Sequence, residues 1–341
     1  MTSQAVIFGC AGPALTAEER AFFRDQRPWG FILFARNIET PEQVRTLTGA
    51  LRAAVDRPDA PILIDQEGGR VQRMRPPHWR RYPPGRAYGQ IGGNDPLLAR
   101  EVARLGARLI AHDLVSVGIN VDCLPVLDVP DPAGHEVIGD RAYGPSPDEV
   151  IRLGRAAAEG LIAGGVLPVV KHMPGHGRAK ADTHFELPVV EAPREALEAR
   201  DFAPFKALSD MPLGMTAHVI FSAVDARRPA TASRTVIREA IRGSIGFEGL
   251  LMTDDISMKA LAGDFASRAR SALAAGCDVV LHCNGDMTEM KAVADGVGPL
   301  RGRSARRAEA ALARLPRASE PLDVAEAVAR FEAAFDGRFA A

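Results

Sequence analysis

SPDEVIRLGRAAAEGLIAGGVLPVVKH, residues 146–172, is a helix feeding directly into a strand. Ser146 is a natural N-cap, the residues after it have amphipathic spacing, and Gly164-Gly165 supply the C-terminal stop. VLPVVKH then runs apolar almost without interruption and ends on two ionisable residues, Lys171 and His172. Near-continuous apolar strands alternating with helices imply a parallel sheet covered by helices on its outer face.

The same unit recurs in both directions along the chain. Apolar runs stand at AVIFG (5–9), GFILFAR (30–36), PILIDQ (61–66), NVDCLPVLDV (120–129), GMTAHVIF (214–221), GLLMTDD (249–255) and CDVVLHCN (277–284), eight in all with VLPVVKH. Further amphipathic helices open after Thr40 and Asp95, and Gly118 closes the second of these. No GxGxxG turn follows the first strand, which counts against an open dinucleotide-binding sheet. Eight such repeats in 341 residues predict an α/β fold, a single (β/α)8 TIM-type barrel spanning 1–341 with a long loop after strand 5. From about residue 300 a helical C-terminal tail is expected to pack on the barrel, its charge-dense sequence RGRSARRAEAALARLPRASEP keeping it solvated.

Composition narrows the chemistry. Forty-two basic against 43 acidic side chains leave a formal net charge of -1, so nothing in bulk electrostatics favours nucleic acid or an anionic membrane. Cys10, Cys123, Cys277 and Cys283 form no CxxC pair and read as buried free thiols. The start MTSQAVIFGCAG has no basic region ahead of a long apolar run, and no 18-residue uncharged stretch follows. A cytoplasmic monomer acting on a small molecule, with no cofactor, is the expectation.

Barrel enzymes place their chemistry at the C-terminal ends of the strands. Here those ends carry Arg36-Asn37, Asp65-Gln66-Glu67, Asp128, Lys171-His172, His218, Asp254-Asp255 and His282-Cys283-Asn284. After the fifth strand, KHMPGHGRAKADTHFELP (171–188) is rich in glycine and small residues and reads as a long functional loop. Three chemistries suit it. A metal held by His172, His176 and Asp182 or His184 would need ligand spacings unlike those of helix-borne zinc motifs. Lys171 as a Schiff-base lysine is permitted by adjacent His172 and its apolar strand, but nothing else in the chain suggests an aldolase. In the third, Asp182 and His184 lie two apart in an extended segment, on the same side, so the carboxylate holds one imidazole nitrogen and leaves the other for proton transfer. Asp254, with Asp255 as its competitor, is placed to be the nucleophile.

DQEGGRVQR (65–73), IGDRAYG (138–144), KHMPGHG (171–177), the D-T-H of 182–184 and LLMTDDISM (250–258) together resemble the bacterial β-N-acetylglucosaminidases of glycoside hydrolase family 3, in order and spacing. The resemblance is closest to the compact cytoplasmic enzymes of cell-wall recycling. It implies a retaining hydrolase in which Asp254 is the covalent nucleophile and His184 the general acid/base, oriented by Asp182. It likewise implies that Asp65, Arg73, Arg141, Lys171 and His172 bind the terminal N-acetylglucosamine of a muropeptide or chito-oligosaccharide, with no metal. His176 looks structural within the PGHG loop, Glu67 reads as an ion-pair partner holding the GGR turn, and Asp128 and His218 read as scaffold. Met173 and Arg178-Ala179-Lys180 depart from what close relatives often carry, and bear on loop closure and aglycone preference. Two other readings are a metal-dependent hydrolase on the same barrel and a non-catalytic N-acetylglucosamine-binding barrel.

Overall fold

The computed structural model describes residues 2–91, 95–181 and 186–339. Eight parallel strands close into a barrel: β1 (Gln4–Gly9), β2 (Pro28–Leu33), β3 (Ile62–Ile64), β4 (Val121–Asp122), β5 (Leu167–Met173), β6 (Leu213–Thr216), β7 (Leu250–Asp255) and β8 (Val279–His282). Each pairs with its neighbours in sequence, and β8 returns to β1 with Val6 opposite Val280 and Phe8 opposite His282. The connecting helices include α1 (Ala17–Gln26), α2 (Pro41–Ala54), α3 (Pro96–Ser116), α4 (Pro147–Ala163), α5 (Val236–Ser244) and α6 (Phe265–Ala275). The caps read from sequence are made: Thr40, Asp95 and Ser146 accept backbone N–H groups in the first turns of α2, α3 and α4.

Strand periodicity divides the apolar residues between two cores. Leu63, Leu167, Val169, Leu250, Met252, Val279 and Leu281 point inward and fill the barrel. Their alternates Ile62, Ile64, Val170, Leu251 and Val280 point outward to the helices. Each such side chain stabilises the fold by about 1.5–3 kcal/mol when fully buried. Extending the inward series by one more step of two places Asp65, Lys171 and Asp254 in the layer above the apolar filling. The barrel therefore delivers charged residues to its C-terminal mouth by the same alternation that fills its core. At that mouth Gly9 has no substitute, because a Cβ there would collide with the carbonyl of Cys283.

Three runs end earlier than their composition suggests. In 120–129 only Val121–Asp122 is regular strand, since Pro125 has no N–H to donate. The chain nevertheless stays bonded to β5, with Val169 N–H on Leu124 O (3.0 Å) and Leu127 N–H on Lys171 O (2.8 Å). After Ile64 the chain leaves the barrel and folds Gln66–Gly68 against Val71–Gln72 as an antiparallel hairpin. Beyond Thr216, Ile220–Phe221 pairs instead with Val189–Val190 in a separate parallel ladder.

The C-terminal segment is solvated on one face only. In α8 (Gly302–Leu312; α7 is Met287–Ala294), Ala308 and Ala311 join Leu300 in the barrel core, and Leu300 N–H donates to Ser3 O at 2.8 Å. This closes the N-terminal end of the barrel and leaves the opposite end for chemistry. In α9 (Val324–Ala334), Phe331 is buried against Tyr82 and Tyr88. Among the described residues, no helix is long and apolar enough to cross a membrane.

Candidate active site

A cavity of about 470 Å³ opens at the C-terminal mouth, within the size range of small-molecule sites. Asp65, Arg73, Arg141, Lys171, His172 and Asp254 all line it. The structure thus gathers every expected residue it describes from four separate stretches of the chain. Asp182 and His184 lie outside the described residues.

Lys171 is 2% exposed and stands between two carboxylates, Asp65 Oδ1 at 2.9 Å and Glu67 Oε1 at 2.6 Å. Asp65 also accepts from Arg73 Nη2 at 2.9 Å, while Glu67 takes both Nε and Nη2 of Arg141 at 2.8 Å each. Burial alone would raise the pKa of these carboxyls, but the cations outweigh it: Asp65 is held well below the usual range and Glu67 at about 2. Burial alone would likewise lower Lys171, and its two carboxylates instead raise it. The network is fully ionised at neutral pH, and its geometry is fixed before any ligand arrives. Glu67 therefore does more than hold the GGR turn, since it orients two of the proposed substrate residues.

His172 is set by Asp128, whose Oδ2 accepts from His172 Nδ1 at 2.6 Å. Asp128 Oδ1 takes the backbone N–H groups of His172 (3.2 Å) and His176 (2.6 Å). With Nδ1 occupied, Nε2 is the nitrogen left for a ligand. Asp128 thus belongs to the site as a positioning residue, not merely to the scaffold. His176 lines the cavity as well as holding its loop; burial drives its pKa down to about 4, so the ring is neutral at pH 7. His218 is scaffold, bonded to Thr231 Oγ1 at 2.7 Å and Asp255 O at 2.9 Å.

The two aspartates that end β7 differ in what their oxygens do. Asp255 is saturated by its own loop and by the end of β8: Oδ1 accepts from Ser257 N (3.1 Å) and Cys283 N (3.2 Å), and Oδ2 from the Ser257 hydroxyl. Asp254 Oδ1 accepts only the Asp255 N–H, at 2.8 Å, and Oδ2 has no partner among the described residues. Burial would raise the Asp254 pKa, but His172 and that N–H keep it below its usual value, so it is a carboxylate at neutral pH.

The departure at Arg178 has a structural role. Its guanidinium bonds Asp201 at 2.7 Å and Asp131 at 3.1 Å, which pins residues 174–179 beside the site. Phe34 was not singled out by sequence; it lines the cavity between the guanidiniums of Arg36 and Arg73, at 5.2 and 5.1 Å. Its only signal in sequence was its place at the end of the second apolar run.

Comparison with known proteins accords with this architecture. The profile of the glycosyl hydrolase family 3 N terminal domain matches residues 6–318. A β-hexosaminidase of Alkalilimnicola ehrlichii is 42% identical over 283 residues, covering 82% of this chain and 80% of its own. One from Methylococcus capsulatus is 42% identical over 285 residues, covering 82% of each chain. Among solved structures, NagZ from Neisseria gonorrhoeae in complex with N-trifluoroacetyl-D-glucosamine superposes with a TM-score of 0.85 at 34% identity, covering 100% of this chain and 99% of that one. The β-N-acetylglucosaminidase of a Paenibacillus species gives 0.85 at 32% identity, over 98% of this chain and 67% of its own. With a profile match across nearly its whole length and relatives this similar, the chain belongs to glycosyl hydrolase family 3.

Proposed function

We propose that the protein is a retaining hydrolase that removes terminal non-reducing β-linked N-acetylglucosamine. Its substrates are N-acetylglucosaminyl-1,6-anhydro-N-acetylmuramyl peptides of peptidoglycan recycling, cleaved in the cytoplasm by a monomer. The chain is a family 3 glycosidase of the β-N-acetylhexosaminidase kind. The observation that supports this reading is Asp254, an ionised carboxylate with one oxygen that no described residue engages, in a cavity walled by fixed donors and acceptors. The gonococcal relative's complex with an N-acylated glucosamine supports a ring of that type in the cavity.

In the first step Asp254 attacks the anomeric carbon as the bond to the aglycone breaks, and the departing oxygen takes a proton from the His184 imidazolium. In the second, neutral His184 removes a proton from water as the water displaces Asp254. Asp182 favours the imidazolium and orients the ring. A histidine donor departs from the usual paired carboxylates, and the Asp182 partnership makes it workable at neutral pH. Asp65, Arg73, Arg141, Lys171 and His172 bind the sugar's hydroxyls and acetamido group. The direct test is release of p-nitrophenol from its β-N-acetylglucosaminide with and without a chelator, followed by muropeptide cleavage. No release, or release lost to the chelator, rejects the metal-free mechanism.

Two outcomes follow for single variants. His184→Ala is expected to lose about 10²–10⁴-fold in rate on substrates with poor leaving groups and far less on activated aryl glycosides. Equal loss on both contradicts an acid role. Asp128→Asn turns one acceptor into a donor facing either His172 Nδ1 or the two backbone N–H groups. A buried mispairing of this kind costs about 1–3 kcal/mol, or roughly 5- to 150-fold in kcat/KM. An unchanged kcat/KM in a fully folded variant removes Asp128 from the site.

A further inference from the structure

A second cavity, of about 590 Å³, lies on the other side of the loop that follows β7. That loop is a partition: Ser257, Met258 and Lys259 line the catalytic cavity, while Ala260, Leu261 and Ala262 line the second one. Among the described residues, the two cavities share no lining residue. The second floor is apolar, with Leu261, Ala260 and Ala272 buried in it. Its rim carries Arg227, Arg228 and Arg234, all exposed and without an ion-pair partner among the described residues. Asp225, the acidic residue of the same turn, is already engaged by the Ser233 hydroxyl at 2.6 Å and the Arg227 N–H at 2.9 Å.

A fourth arginine joins the cavities mechanically. Arg268 lines the second cavity, and its Nη1 donates to the carbonyls of Ile256 (2.8 Å) and Met258 (3.3 Å) while Nε donates to Gly263 O (2.9 Å). Arg268 thus holds both ends of the partition. Anything that engages this guanidinium or presses on Ala260–Ala262 acts on the segment that also presents Ser257 and Met258 to the catalytic side.

We propose that this cavity is a second ligand site, for a small anion with an apolar body, and that its occupancy is coupled to catalysis through residues 256–262. The class follows from the lining. Three exposed guanidiniums that make no ion pair among the described residues select a carboxylate, sulfonate or phosphate, which they meet in a two-pronged geometry. The apolar floor selects the rest of the ligand, and the volume matches that of small-molecule sites, about 300–1,000 Å³.

The probe is anilinonaphthalene sulfonate, titrated by fluorescence into the folded full-length protein. Saturable binding is expected, weakened about tenfold or more in Arg228→Glu/Arg234→Glu, the factor that loss of about 1.4 kcal/mol produces. Ala274→Trp, an exposed helix position on the cavity wall, is expected to abolish it by filling the space. Both variants lie outside the catalytic cavity, so a probe bound there would ignore them. Binding that survives both overturns the site. At probe saturation the KM for the aryl N-acetylglucosaminide is expected to shift about fivefold or more, and an unchanged KM overturns the coupling. Binding is read without turnover and is independent of the proposed nucleophile and substrate, whereas the KM readout of the coupling rests on the proposed glycosidase activity.

Discussion

Asp254→Ala is expected to reduce kcat on the order of 10⁴-fold or more, about 5.4 kcal/mol of transition-state stabilisation, while leaving the fold intact. The effect is large because, in the proposed mechanism, a carboxylate oxygen of Asp254 forms the new bond, so its loss removes a step and not a contact. Folding tolerates the change because, among the described residues, Asp254 makes one hydrogen bond, to the N–H of its own neighbour. Asp255→Ala is expected to show the opposite balance. It removes the anchor for Ser257 and Cys283, so the loop loosens and stability drops while turnover persists at reduced rate. A slow fluorinated N-acetylglucosaminide should label Asp254, detected as a modified peptide spanning 250–258. Label on Asp255, or an Asp254→Ala variant with normal kcat, reverses the assignment of the pair.

The contrast between these neighbours marks where sequence stops being informative. Both sit in MTDD at the end of an apolar strand, and both are ionisable groups at a barrel mouth. Alternation along β7 is legible: if Leu250 and Met252 face inward, so does Asp254. What occupies Asp255 is not legible, because Cys283 comes from the next strand and the pairing is made only when the barrel closes. The same limit hid the role of Asp128, 44 residues from His172, and the double duty of Glu67. Strand ends were misread for a related reason. Pro125 interrupts a run that otherwise reads as one strand, and the partners of Ile220–Phe221 lie in Val189–Val190, so composition does not show that this second run leaves the barrel. Local signals fared better: the caps at Thr40, Asp95 and Ser146 rest on contacts within one turn.

Lys171→Met is expected to be the most damaging substitution for the fold among the site residues. Methionine is close in length, so packing is nearly kept, but Asp65 and Glu67 lose the cation that bridges them. Glu67 is 5% exposed, and breaking a buried ion pair by removing one partner costs about 3–5 kcal/mol, which is a large share of a domain's stability. Arg73 and Arg141 keep one pair each and set the lower part of that range. The pH dependence identifies the cause. Both carboxyls have folded-state pKa values below their unfolded ones, so their contribution is fully present above about pH 4.3 and lost as pH falls toward about 2, the value of Glu67. Without Lys171 that depression is smaller, so the variant has less to lose in acid. Urea unfolding should therefore show a gap between the parent and Lys171→Met that is widest near neutrality and narrows between about pH 4.5 and pH 2. A gap that stays constant across that range means the lost stability came from packing and not from the charge network.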